Sequence, residues 1–171
     1  MYIPIILGTA RDGRQSEKVV NFVFEQLKSK NIDTEILDVR DYSITATDGS
    51  GESDLAKKFA SKIIKSSAII IISPEYNHGY PGELKIMLDL LYEEYFDKPI
   101  GFCGVSKSSL GGVRAVEQLR LVAVGLHMIP IYDAVYFSNI EKLFDNQNQL
   151  QDISYISKIS NLVDKLKLAI K

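Results

Sequence analysis

Short apolar runs ending in glycine or proline alternate along this chain with stretches whose apolar residues recur every three or four positions, and this alternation limits the possible folds most. Ile3 to Leu7 stops at Gly8, and Ala68 to Ile72 stops at Ser73-Pro74. Runs this short and apolar at every position read as strands buried on both faces. Pro99 to Val105 has the same character with weaker residues, and Met128 to Tyr132, extended through Phe137, supplies a further strand. In Thr34 to Val39 polar and apolar residues alternate, as at a sheet edge with one wetter face. Helical stripes lie between the runs: Val19, Val23 and Leu27; Leu55, Phe59 and Ile63; Leu84, Met87, Leu88 and Leu91; Ala115, Leu119, Val122 and Ala123; Ile156, Ile159, Val163, Leu166 and Ile170. Strands and helices in strict alternation, five of each by this reading, imply parallel strands, right-handed crossovers and helices on both faces. The expected fold is a doubly wound α/β sheet in the common order 2-1-3-4-5.

With 171 residues and no internal repeat or linker, the chain reads as one domain over residues 1–171. Apolar residues at 46% and charged residues at 25% exclude a disordered chain or a coiled coil. Twenty basic and 22 acidic residues leave a net charge of −2 with no basic stripe, so nucleic acid is not an expected partner. Cys103 is the single cysteine, which excludes an internal disulfide and a thiolate zinc cluster and points to the cytosol. The first apolar run is too short for a secretion signal, and no stretch reaches the roughly 20 apolar residues of a membrane span. The polar stretch Thr45 to Ser53 reads as a mobile surface loop, and Asp145 to Gln151 as a second polar connection.

In an open parallel sheet of this order, ligands bind beyond the carboxyl ends of the strands, in the crevice between strands 1 and 3. The loops after strands 1, 3 and 4 are the most unusual segments of the sequence. The first, Gly8-Thr9-Ala10-Arg11-Asp12-Gly13-Arg14-Gln15-Ser16, runs into a helix beginning near Ser16. Hydroxyls, guanidinium groups and free N–H groups at a helix start converge there, which suits a phosphate; a plain helix cap at Ser16 would explain only that one residue. A Walker A lysine is missing and G-x-G-x-x-G is absent, which leaves a single phosphate monoester such as that of FMN.

The second loop, Ser73 to Gly82, is stiffened by Pro74 and Pro81 and carries Tyr76 and Tyr80, flat faces that suit a planar ring. Pro81 also suits the first position of the next helix. The third loop, Ser106 to Gly112, is made of small residues beside the N–H groups of another helix start. His78 and His127 read as ordinary loop and structural histidines, and Cys103 as a buried apolar residue.

Together, GTARDGRQSEKV, SPEYNHGYPGELKIMLDLL and SKSSLGGVRAVEQLR resemble the NADPH-dependent FMN reductase family of flavodoxin-like proteins, which includes quinone, chromate and azo-dye reductases. The resemblance spans nearly the whole chain, and Pro-Glu-Tyr-Asn followed by Pro-Gly-x-Leu-Lys is its most specific part. It implies that Thr9, Arg11, Gln15 and Ser16 hold the FMN phosphate, and that Pro74, Glu75, Tyr76, Asn77 and Gly79 lie along the isoalloxazine. Ser106, Leu110, Gly111 and Gly112 would then line its pyrimidine side or the adjoining wall. The chain departs from the family at Ile86, often asparagine, and at Ser108, often glycine.

The resemblance also implies NADPH or NADH as co-substrate, a small-molecule electron acceptor, and a homodimer or homotetramer. The flavin then carries the chemistry, and no catalytic side chain or metal is expected. The alternative is a flavodoxin-type electron carrier or flavin-binding protein without NAD(P)H activity of its own. The aromatic group Tyr92, Tyr95 and Phe96, beside Leu88 and Leu91, is expected either to close one end of the core or to form an interface.

Overall fold

The computed structural model describes residues 1–46 and 49–170. Strands β1 (Ile5–Leu7), β2 (Ile36–Asp38), β3 (Ile69–Pro74), β4 (Pro99–Val105) and β5 (Ile129–Phe137) form one sheet in the order β2-β1-β3-β4-β5. Every neighbouring pair is parallel. This is the doubly wound order expected of a flavodoxin-like chain. The alternating Thr34-to-Val39 segment contains the edge strand, as its pattern predicts, and of β2 itself only Leu37 is buried. β5 forms the other edge, with a register shift between Ile100 and Phe102 of its neighbour where β5 carries extra residues.

The period-2 geometry of the strands divides the core into two layers. Ile5, Leu7, Ile70 and Ile72 face α1 (Ser16–Ser29) and α6 (Ser154–Ala169), whose Val19, Val23, Leu27, Ile159, Leu162 and Leu166 cover them. Ile6, Ile69, Ile71 and Phe102 point the other way. They lie under α2 (Asp54–Lys65), α3 (Gly82–Leu88) and α4 (Val113–Gly125), through Phe59, Ile63, Met87, Val116 and Leu119. Each buried side chain of this size contributes about 1.5–3 kcal/mol on leaving water, so the two layers supply the driving force for folding.

Three features differ from the sequence reading. A short helix, α5 (Ile140–Leu143), interrupts the expected alternation after β5. α3 ends at Leu88, so Leu91 lies beyond it in the turn that leads to the 3-10 segment Glu93–Tyr95. The aromatic group divides: Leu88, Leu91 and Tyr95 are buried, whereas Tyr92 and Phe96 are exposed and gather around His127, with ring centroids 5.8 and 4.6 Å from its imidazole. Residues 47 and 48 of the polar Thr45-to-Ser53 stretch lie outside the described residues. Among the described residues no helix is long and apolar enough to cross a membrane.

Gly104, near the end of β4, carries the rim. A Cβ there would lie 2.5 Å from the carbonyl oxygen of Gly111 and 3.1 Å from Val116. Gly104→Ala is therefore expected to cost about 1–3 kcal/mol through overpacking. At about 2–4 °C per kcal/mol for a chain of this size, calorimetry should show Tm several degrees lower; an unchanged Tm would contradict this packing.

Candidate cofactor site at the carboxyl ends of the strands

The first loop leaves β1 at Gly8, whose N–H donates to the Ile72 carbonyl at 2.8 Å. A Cβ at Gly8 would sit 2.8 Å from Leu84 and 3.0 Å from that carbonyl oxygen, so the close approach of β1 to α3 and β3 requires glycine. Thr9 then turns inward and is fully buried. Its hydroxyl lies 3.0 Å from the Tyr76 hydroxyl and accepts the Arg11 N–H at 3.3 Å. Glu83, in the first turn of α3, accepts the Ala10 N–H at 2.9 Å.

Two arginines take the loop's carbonyls toward β2. Arg14 pairs both guanidinium nitrogens with the Asp38 carboxylate at the end of β2, one at 2.8 Å, and also donates to the Thr9 carbonyl. Arg40 donates to the carbonyls of Ala10 at 3.1 Å and Arg11 at 3.0 Å, and to Asp12 at 3.2 Å. Burial disfavours the charged form of Asp38, but the hydrogen bonds from Arg14 and the Arg40 N–H outweigh it and hold its carboxyl below the usual aspartate range.

Where the loop enters α1, Gln15 occupies the cap position and no side chain caps the helix. Ser16 is the first helical residue, not the N-cap that the cap reading expects; its φ/ψ has already joined the helix. The start of α1 therefore has no side-chain cap, and the Glu17 and Lys18 N–H groups donate to the Arg14 and Gln15 carbonyls at 3.4 and 3.1 Å.

The second loop begins with Glu75, whose N–H continues the ladder to the Val105 carbonyl at 3.1 Å. Its carboxylate turns to the start of α4, accepting the Arg114 N–H at 3.1 Å and the guanidinium at 3.0 Å. Tyr76 and Gly79 exchange both backbone hydrogen bonds around Asn77 and His78, whose φ values are +50° and +68°. This is a type I′ turn, in which asparagine tolerates the left-handed region well. The space beside Gly79 faces Gln118, whose Oε1 would lie 3.2 Å from a Cβ at that position.

In the third loop, the Ser106 and Ser108 hydroxyls are 2.8 Å apart. The Ser108 carbonyl accepts from Asn139 and the Ser106 carbonyl from Ile140, tying the loop to the β5–α5 connection. Gly111 and Gly112 have φ of +60° and +89°, and a Cβ on either would come within 3 Å of Tyr136 or Val105.

The three loops meet around one cavity of about 470 Å³, lined by Arg11, Gln15, Ser16, Pro74, Glu75, Tyr76 and Ser106 of the expected residues. Arg14, Lys107, Ser108 and Ile140 also line it. Thr9 lies beneath the wall, Asn77 and Gly79 in the outer turn, and Leu110, Gly111 and Gly112 at the approach to α4, so these six shape the loops without lining the cavity. Of the cavity's cations, Arg14 is paired with Asp38 and Lys107 with Glu141. Among the described residues Arg11 has no carboxylate partner; its guanidinium stands 5.3 Å over the Tyr76 ring. No group of three or more His, Cys, Asp or Glu among the described residues is placed to hold a metal ion.

Asp38, Arg40 and Glu83 were not singled out by the sequence. The only local signal was their position, at the end of a strand and in the first turn of a helix, because their partners lie 24 to 73 positions away.

Comparisons with known proteins show the family to which the chain belongs. The family model described as NADPH-dependent FMN reductase matches residues 1–142. An NAD(P)H-dependent FMN reductase of Schizosaccharomyces pombe is 32% identical over 74% of this chain and 67% of its own length. An FMN-dependent NADPH-azoreductase of Staphylococcus haemolyticus is 25% identical over 95% and 91%. Among solved structures, the flavoenzyme NAD(P)H:(acceptor) oxidoreductase of Paracoccus denitrificans superimposes with a TM-score of 0.84 at 16% identity, over 98% of both chains. The chain belongs to the NADPH-dependent FMN reductase family.

The lowered native value of Asp38 sets a sign for pH dependence. The pair's contribution to folding is fully present above the ordinary aspartate value, about pH 4, and is lost as pH falls below it through the lowered native value. Urea melts are expected to show wild-type stability falling more steeply below about pH 4 than that of Asp38→Asn; superimposable acid limbs would contradict the pairing.

Proposed function

We propose that this chain is an FMN-dependent NAD(P)H oxidoreductase that serves a small-molecule acceptor: a quinone, a flavin, an azo compound or a metal oxyanion. One observation carries the reading: the unpaired Arg11 guanidinium and the uncapped start of α1 face one cavity with Tyr76 and Ser106. A cation beside the positive end of a helix dipole is what a phosphate monoester requires. The cavity's volume lies within the usual range for small-ligand sites, about 300–1,000 Å³. The residues present therefore fit FMN.

Arg11, Gln15 and Ser16 would hold the phosphate at the start of α1, with Thr9 supporting the loop from below through Tyr76. Pro74 and Tyr76 would lie along the ring, while Glu75, Asn77 and Gly79 keep the second loop in shape. Ser106 would face the pyrimidine side, with Leu110, Gly111 and Gly112 forming the adjoining wall. When bound, FMN supplies the two-electron redox chemistry, and one site serving donor and acceptor in turn gives ping-pong kinetics. The protein's part is to bind and orient the ring and leave one face open. The buried Cys103 thiol, which burial pushes up out of its reactive range, suits a reducing cytoplasm.

The exposed Tyr92–Phe96–His127 cluster supports assembly into a homodimer or homotetramer. Light scattering is expected to show a dimer or larger; a monomer at micromolar concentration would overturn this.

Two measurements test the activity. The purified protein with FMN is expected to oxidise NADPH or NADH faster when a quinone or azo dye is added, with parallel double-reciprocal plots. FMN bound without stimulated turnover would favour an electron carrier instead. Arg11→Ala is expected to raise the FMN Kd about tenfold or more, the loss of one charge-assisted hydrogen bond; unchanged affinity in fluorescence titration would contradict the phosphate assignment.

A further inference from the structure

Arg14 and Asp38 invite two opposite readings of the first loop. Arg14 lines the cavity, so it looks like a second phosphate cation. Its side chain is only 4% exposed, however, and its charge is already matched by a two-pronged pair with Asp38. The same guanidinium donates to the Thr9 carbonyl, and Asp38 also accepts the N–H of Arg40, whose side chain takes the carbonyls of Ala10 and Arg11. Three consecutive loop carbonyls thus hang on two arginines that meet at one carboxylate. The two terminal guanidinium nitrogens could serve a phosphate only by leaving Asp38, whereas Nε, buried and without a hydrogen-bond partner, stands 3.8 Å from the Glu17 carboxylate.

We propose that Arg14 is a positioning residue and not a phosphate ligand. Held by Asp38, it sets the first loop in its phosphate-binding shape, which makes Asp38, outside the cavity lining, a determinant of selection for FMN over unphosphorylated riboflavin. This rests on the FMN reading above and adds to it the basis of discrimination between two flavins. Arg11 and the start of α1 then supply the attraction, and the Asp38–Arg14–Arg40 assembly supplies the shape.

The two readings of Arg14 differ in sign for Asp38→Asn. Freeing the charge of a direct ligand would tighten FMN, whereas loosening a positioned loop weakens it. Titration of apoprotein by flavin fluorescence is expected to show the FMN Kd of Asp38→Asn raised about tenfold, with riboflavin affinity changed less than twofold. Arg14→Lys keeps the charge and loses the fork, and is expected to show the same FMN-selective loss. The double variant should lose little more than either single one, because both act through one contact.

Tighter or unchanged FMN binding in Asp38→Asn would overturn the proposal. So would equal weakening of both flavins, the mark of general destabilisation, or full FMN affinity in Arg14→Lys should Asp38→Asn fail to fold. A wild-type protein that binds neither flavin would sink the FMN reading itself and this proposal with it, an outcome distinct from altered selectivity in the variants alone.

Discussion

β3 is the strand on which the rest of the molecule depends. All six of its residues are buried, and it pairs in parallel with both β1 and β4. Parallel pairing obliges consecutive strands to end at the same rim, and burial on both faces obliges their connections to cross on opposite sides. α1 returns from β1 on one face and α3 from β3 on the other, so the chain diverges between these strands and leaves a crevice there. The site is a consequence of how the hydrophobic layers close, and its polar residues are placed by elements that bury apolar ones.

Within that crevice the first loop has no regular structure of its own, so its shape comes from neighbours. Glu83 holds it from α3, Tyr76 from the second loop, and Arg14 and Arg40 from the end of β2. The charge balance follows from the same contacts. Each arginine that shapes the loop is matched by a carboxylate, whereas Arg11 has none among the described residues, which is why we propose it as the phosphate cation. A site with one uncompensated cation beside a helix start suits a single phosphate better than a polyphosphate, which needs further cations or a metal.

Much of this was legible in the sequence because it is local. Isoleucine-rich runs ending at Gly8 and Pro74, period-3.6 stripes and the alternation in β2 report burial directly, and they lead to the sheet order observed. That the three loops share one rim followed from the topology. Side-chain direction was not legible. Thr9, Gly79, Gly111 and Gly112 belong to the right loops, yet the burial of Thr9 and the tight approaches of the glycines to Gln118, Tyr136 and Val105 depend on residues distant in the chain. The same holds for Asp38, Arg40 and Glu83. Serine's preference for the N-cap offers a plain alternative to the phosphate reading of Ser16, yet the chain reaches helical φ/ψ one residue earlier, at Gln15. The short α5 carries too few residues for a periodic signal.

A crystal structure of the protein soaked with FMN tests the central claim most directly. The account predicts flavin density in the cavity, its phosphate against Arg11 and the start of α1 and its ring beside Tyr76 and Ser106. An empty cavity at saturating FMN, or density confined to another surface, would contradict it.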